Sequence, residues 1–260
     1  MIGLISEIKN LRAIKREIDN PSFVCQRVIN ESEILNVRKF CFKVYVRRGE
    51  IEPKFLNEQG VLGPDKDPYA KHSVYFVVRP KNSRQIIAAS RLILSKPRVG
   101  VHSLQIDVKD LSKGIREFLE SHDDSVAEPS SFAKLKGAPS IATTYLIREM
   151  LHYSLGHGIR KWLIALNPHI ESTYRRRFGT ALHRLGEKVT SKVDLDGRRP
   201  VNVPYLMDVQ YALDNLEMGN AFYRHFVAPI IREFMHNSPP NDHNTIKRTP
   251  KHTASLSHRA

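Results

Sequence analysis

The sequence predicts an α/β protein, a three-layer α-β-α sandwich around a central mixed, mostly antiparallel sheet. Three observations lead there. Two β-rich runs, "HSVYFVVRP" and "QIIAASRLILS", are joined by the short "KNSR", which makes a hairpin. Strand and helix patterns then alternate through "SSFAKL", "IATTYLIREMLHYSLGHG", "KWLIAL" and "HIESTYRRRF", a β-α-β-α succession. With 260 residues, 41% of them apolar, the chain can bury a full core as one large domain or as a domain with an appendage.

The opening segment, "MIGLISEIKNLRAIKREI", reads as a basic amphipathic helix with Leu4, Ile8, Leu11 and Ile18 near one face. Residues 1–21 are set apart as that helix, which offers a peripheral contact to an anionic membrane surface. "SFVCQRVI" is a short strand, and Asn30 followed by Glu33 gives the N-cap signal for a helix through "EILNVRKFCFKVYV". Pro, Gly, Asp and Asn make "EPKFLNEQGVLGPDKDPYAK" a loop. The hairpin follows, then a helix over "DLSKGIREFLES".

Residues 127–135, "AEPSSFAKL", place Glu128 ahead of the strand candidate "SSFAKL", with "KGAPS" as the turn that follows. In the next helix Ile147, Met150, Leu151 and Leu155 form one buried stripe, and Gly156 and Gly158 end it. "KWLIAL" is a buried strand, Asn167-Pro168 starts another helix, and Gly179 closes it. "EKVTSKVDLDGRRPVNVPYLMDV" holds two strands about an Asp196-Gly197 turn. The core domain is therefore expected over 22–236. The tail over 237–260 carries Lys, Arg and His with almost no large apolar groups and is expected to be disordered.

Composition limits the function classes. No apolar run approaches the ~20 residues of a membrane-spanning helix, and the N-terminus lacks a secretory signal pattern. Two cysteines, Cys25 and Cys41, form neither a metal pattern nor a disulfide framework, so a cytoplasmic setting is expected. Forty-one Lys and Arg against 27 Asp and Glu give +14, a field that favours acidic partners: nucleic acid, anionic lipid or an acidic carrier protein. No helix-turn-helix, RNP or zinc-finger signature accompanies the charge, so nucleic acid is not favoured. Glu149/His152 and Glu233/His236 have the Glu-x-x-His spacing of di-iron carboxylate bundles, but the two further Glu-donating helices are missing and no metal is expected.

Five segments carry a resemblance. They are "VRKFCF" with Arg38 and Phe42, "DPYAKHSVYFVV" with Asp67, "ASRLIL" with Arg91, "EPSSFA", and "IALNPHIESTYRRRFG". Through them, from about residue 22 to residue 212, the chain resembles acyltransferases of the GNAT-like fold, in their carrier-protein-dependent branch. That branch holds the N-acyl-homoserine lactone (autoinducer) synthases and the N-acyl amino acid synthases. Two positions depart from the pattern: Ala70 stands where a second carboxylate commonly follows Asp67, and Ser131 where Glu-x-Ser-Arg has its arginine. The first weakens an adenosylmethionine site and favours an amino acid as acceptor.

The resemblance implies transfer of a long-chain fatty acyl group from an acyl carrier protein thioester to the amine of an amino acid or related small molecule. No cofactor is bound; acyl-phosphopantetheine, or acyl-CoA, is the co-substrate. It further implies catalytic roles for Glu128 as base, Ser130, and Tyr174 as proton donor to the thiolate. Arg38, Phe42, Asp67, Arg91 and Phe132 line the substrate site. Lys134, Lys136 and Gly137, with Arg175 and Arg176, meet the phosphopantetheine phosphate and the carrier. Each has a plainer reading: Glu128 as a surface loop carboxylate, Ser130 as a backbone partner, Arg38 as part of a solvated basic face, Tyr174 as packing. Arg91, inside an apolar strand pattern, calls for a paired charge under either reading.

Overall fold

The computed structural model describes residues 15, 16, 19, 21–96, 99–121, 125–178, 181–193, 199–214 and 233. Nearly all of the helix expected over 1–21, the tail over 237–260, Gly179, His236 and the Asp196-Gly197 turn lie outside them.

The first strand, β1 (Phe23–Val28), leads into α1 (Glu31–Arg47). Asn30 caps α1 as the sequence predicts, its Oδ1 accepting from the N–H of Ser32 at 2.9 Å and of Glu33 at 3.4 Å. The loop that follows contains short 3₁₀ turns at Pro53–Phe55 and Pro68–His72. The hairpin is β2 (Ser73–Pro80) and β3 (Ala88–Leu94), paired antiparallel. After an irregular stretch come α2 (Lys113–Glu120), β4 (Val126–Lys134), α3 (Ile141–Gly156), β5 (Lys161–Leu166) and α4 (Pro168–Phe178). The chain then forms β6 (Leu182–Arg184), β7 (Val189–Thr190), β8 (Val201–Asp208) and α5 (Val209–Asp214). The strands make one eight-stranded sheet in the order β1-β2-β3-β4-β5-β8-β6, with β7 on β8. Among the described residues only β4 and β5 pair parallel, joined by α3 as the crossover a parallel pair requires.

Both faces of the sheet are covered, which is why β3 and β5 read as nearly continuous apolar runs. On one face α1 sets Val37, Cys41 and Val44 against Tyr75, Val77 and Ala89. The irregular stretch and α2 extend that layer, with Leu104, Ile106, Val108 and Leu119 over Ile93 and Leu163. On the other face α3 lays Leu146, Met150 and Leu151 on Phe76, Leu92 and Trp162. Each fully buried Leu, Ile or Met contributes ~1.5–3 kcal/mol. Trp162 also needs a polar partner, and its Nε1 donates to Ser154 Oγ at 2.8 Å. Gly158, at φ +74°, ends α3 in a Schellman motif: its N–H reaches Leu155 O at 3.2 Å and that of Ile159 reaches Ser154 O at 2.9 Å.

Two elements differ from expectation. The strand expected at 130–135 begins at Val126, so Glu128 and Pro129 lie inside it and not ahead of it. Residues 126 and 127 are recruited by pairing with neighbouring strands, a tertiary effect that the local Glu-Pro-Ser-Ser composition hides. The short β6, with one apolar residue in three, has no local signal and exists through its pairing with β8.

Because Asn30 satisfies N–H groups that α1 leaves open, Asn30→Ala should destabilise the chain by ~1 kcal/mol. The midpoint of urea unfolding should fall with the slope unchanged.

Candidate active site

The site forms where β4 and β5 separate. Their parallel pairing covers Val126↔Lys161 and Ala127↔Trp162; among the described residues β4 continues from Glu128 to Lys134 with β3 as its ladder partner. Pro129 fits such a half-open strand, where a missing N–H is tolerated. The β3–β4 register slips between the pairs Ala89↔Ala133 and Arg91↔Ser130, so β4 carries one extra residue. Ser131 takes up the bulge at φ +59°, a left-handed conformation uncommon for serine. Ser90 Oγ holds the bulge by donating to Ser130 O at 2.9 Å, with Cys41 Sγ 3.9 Å from Ser131 O.

The slip also decides side-chain direction, since one extra residue reverses every later position. Glu128 and Ser130 point to the same face as Ile93 and Arg91, their register partners. Beyond the bulge Phe132 turns to the α3 face and Ala133 to the α1 face.

Glu128 is 3% exposed, which excludes the surface-loop reading. Ile106 N–H donates to its Oε2 at 3.0 Å. Burial pushes the carboxyl up from 4.5 to about 7, against the opposing pull of the Ile106 N–H, Arg91, the Gln105 N–H and Lys192. Beside it Arg91 is buried and paired: Nη1 donates to both Asp67 oxygens at 2.8 Å, and Nη2 to Gln105 Oε1 at 3.1 Å. Desolvation works against the Arg91 charge, but Asp67 and Tyr75 together outweigh it and the pKa is raised. Asp67 also has Arg38 Nη2 at 3.5 Å, and that group donates to Leu62 O at 2.7 Å. One carboxylate thus stands between two guanidiniums. Arg38, 19% exposed against 7% for Arg91, is the more accessible cation. The Nε groups of both arginines are buried and have no hydrogen-bond partner among the described residues.

Of the residues expected in a site, Arg38, Asp67, Arg91, Glu128 and Ser130 come together. Ser130 Oγ reaches Gln105 Oε1 at 3.3 Å. Phe42 packs with Phe55, Val61 and Leu62 and supports the loop that carries Asp67. Phe132 and half-buried Tyr174 pack on the core of the opposite face. On that side Tyr205 donates its hydroxyl to Glu171. Lys134 Nζ is spent inside its own turn, donating to Ala138 O at 2.5 Å, while Lys136 and Gly137 (φ +85°) lie on the turn itself, Lys136 exposed. Arg175 is exposed on α4; the Arg176 side chain lies outside the described residues. Of the two Glu-x-x-His pairs, Glu149 is engaged by Arg148 at 3.0 Å, and His236 of the second lies outside the described residues.

Sequence reasoning missed Gln105, which bridges Arg91, Ser130 and Ser191, and it missed Lys192. Buried Tyr69 was also missed; burial first, then Glu128 and Asp67, push its phenol up to about 12. The one local hint was the apolar spacing of Leu104, Ile106 and Val108, which marks a packed stretch without naming Gln105.

The raised Glu128 pKa has a consequence for stability. Between pH 4.5 and 7 the folded chain binds more protons at this group than the unfolded chain, so stability falls as pH rises through that window. The loss is ~3 kcal/mol at ~1.4 kcal/mol per unit. Glu128→Gln should therefore stabilise the protein, by about 2–3 kcal/mol more at pH 8 than at pH 5. Urea unfolding at the two pH values measures it.

No family model matches the sequence, and no curated protein is similar to it in sequence. Solved structures are similar in fold. FeeM, an N-acyl amino acid synthase from uncultured soil microbes, superposes with TM-score 0.54 at 13% identity, covering 74% of this chain and 93% of its own. TofI, solved in a ternary complex with an inhibitor and MTA, gives TM-score 0.52 at 19% identity, covering 75% and 96%. The chain has the GNAT-like fold that these structures share.

Proposed function

We propose that this protein is an N-acyltransferase that moves a fatty acyl group from the phosphopantetheine thioester of an acyl carrier protein to the amine of an amino acid. One observation carries the reading: Glu128, a buried carboxyl titrating at about 7, is the first residue of β4 beyond its pairing with β5. A general base works best with a pKa near the working pH.

The proposed reaction runs in these steps. Glu128 carboxylate takes a proton from the acceptor's ammonium, directly or through a water. The neutral amine attacks the thioester carbonyl and a C–N bond forms. Backbone N–H groups of β4 beyond Pro129, on the edge away from β3, hold the oxyanion, since β5 does not pair with them. The C–S bond then breaks, the attacking nitrogen gives up its second proton to water as the amide forms, and the thiolate takes a proton, for which Tyr174 is the candidate donor, itself reprotonated from that water. Arg38 receives the acceptor's carboxylate, having the more accessible guanidinium of the two that flank Asp67. The FeeM fold and the absence of a second carboxylate at Ala70 support an amino acid acceptor.

The donor reading rests on the turn between β4 and α3. It offers one glycine at positive φ, Gly137, with exposed Lys136 beside the first turn of α3. One phosphate fits such a turn more readily than a CoA pyrophosphate. The net charge of +14 and exposed Arg175 suit an acidic carrier.

Acyl transfer should be measured with long-chain acyl carrier protein, with acetyl-CoA and with an amino acid panel, products being read by mass spectrometry. Turnover is expected with the carrier, weakening as salt rises; equal turnover with acetyl-CoA at every ionic strength would remove the carrier. Glu128→Gln should lower kcat by about 10²–10⁴-fold. The parent's rate should rise with pH through a limb near 7, where Glu128 ionises. A Glu128→Gln variant as active as the parent overturns the assignment of the base.

A further inference from the structure

The stretch between β3 and α2 has little regular structure, yet it supplies the N–H groups that face Glu128, so something must fix it. Its tie is the segment around β7. Lys192 N–H donates to Gln105 O at 2.8 Å, Asp107 N–H to Thr190 O at 2.9 Å, and Ile106 bridges Ser191 in antiparallel fashion. Thr190 answers through its N–H and hydroxyl, which donate to Asp110 Oδ2 at 2.7 and 2.6 Å. Across this two-stranded clasp the half-buried Lys192 side chain reaches back. Its Nζ donates to His102 O at 2.7 Å and to Leu104 O at 3.0 Å, on either side of Ser103.

We propose that Lys192 is a positioning residue for Glu128: by gripping the carbonyls of His102 and Leu104 it aims the N–H groups of Gln105 and Ile106 at the carboxylate. The inference rests on Glu128 being the base, but its test does not need turnover.

The electrostatics agree with the geometry. Two routes link Lys192 to the ionisation of Glu128. The direct one is its ammonium charge, the last of the influences that favour the carboxylate; the indirect one is the Ile106 N–H, the first of them. The groups facing Glu128 are Arg91 from β3, Lys192 from the clasp, and Tyr69, whose phenol feels the Glu128 charge. Those facing Lys192 are Asp107, Glu128 and Lys109. Burial lowers the Lys192 pKa, and Asp107 and Glu128 act to keep it charged. Asp107 is on the clasped stretch itself, so the lysine is held by the segment it holds, against the like charge of Lys109 on the same stretch.

Lys192→Met keeps the length of the stem and removes both the charge and the two bonds. Lys192→Arg restores the charge and donors to the carbonyls. The Glu128 carboxyl is followed by carbon-13 NMR titration of glutamate-labelled protein, its signal assigned by loss in Glu128→Gln. In Lys192→Met the titration should move up by roughly half a unit or more, and in Lys192→Arg it should return most of the way. The acidic limb of the pH–rate profile should move with it. If Lys192→Met fails to fold, Lys192→Gln, which keeps a donor without the charge, is read by the same criterion. A Glu128 titration that stays in place overturns the proposal, whatever happens to stability. A titration that moves in a protein without acyl transfer supports the Lys192 role and overturns the proposed reaction instead.

Discussion

The structure depends on the point at which β4 stops sharing hydrogen bonds with β5. Inside a protein every backbone N–H and C=O needs a partner, and at the start of β4 the two neighbouring strands supply them. From Glu128 onward β4 has β3 alone as its ladder partner among the described residues, and the features that would weaken an ordinary central strand gather there. They are a proline at 129, a buried acid at 128 and a left-handed serine at 131. Strain of that kind persists where the surroundings over-determine it. Here β3 on one edge, Ser90 beneath the bulge and α1 above it provide the determination.

Charge in the site follows the same logic of enforced pairing. Arg91 sits between apolar neighbours on a central strand, where an unpaired guanidinium would cost several kcal/mol. Asp67 meets it with both oxygens, and that contact draws the loop before β2 over the sheet. Arg38 then meets the same carboxylate less closely, at 3.5 Å, and stays partly exposed. Gln105 completes the frame: its amide oxygen accepts from Arg91 and Ser130, and its amide nitrogen donates to Ser191. A single neutral side chain thereby ties β3, β4 and the segment after β7.

What the sequence revealed followed range. Patterns written within a few residues were legible: the Asn30 cap, the Gly158 stop, the hairpin around 81–84 and the apolar stripe of α3 all have the structure their local chemistry dictates. Arg91 was legible too, because a charge in an apolar alternation needs a partner. The burial of Glu128 was not legible, since Glu-Pro-Ser-Ser has the composition of a loop and becomes strand through its neighbours in the sheet. Gln105 and Lys192 had no signal at all. Lys192 meets its carbonyl partners 88 and 90 positions away, and nothing in either segment marks the meeting.

The Glu128 carboxyl is subject to two opposed influences. Dryness raises the Glu128 pKa toward the working pH, while every donor aimed at the carboxylate lowers it again; two or three good N–H bonds can take a carboxyl below about 2. One close N–H bond at 3.0 Å, the Arg91 charge, a second weaker N–H influence and a lysine held back among carbonyls leave the balance at about 7. Fewer donors would leave a carboxyl that stays protonated at neutral pH. More would hold it as a carboxylate well below neutral pH. A strand's ladder presents donors at fixed intervals, whereas the clasped stretch at 100–111 turns only the N–H groups of Ile106 and Gln105 toward Glu128.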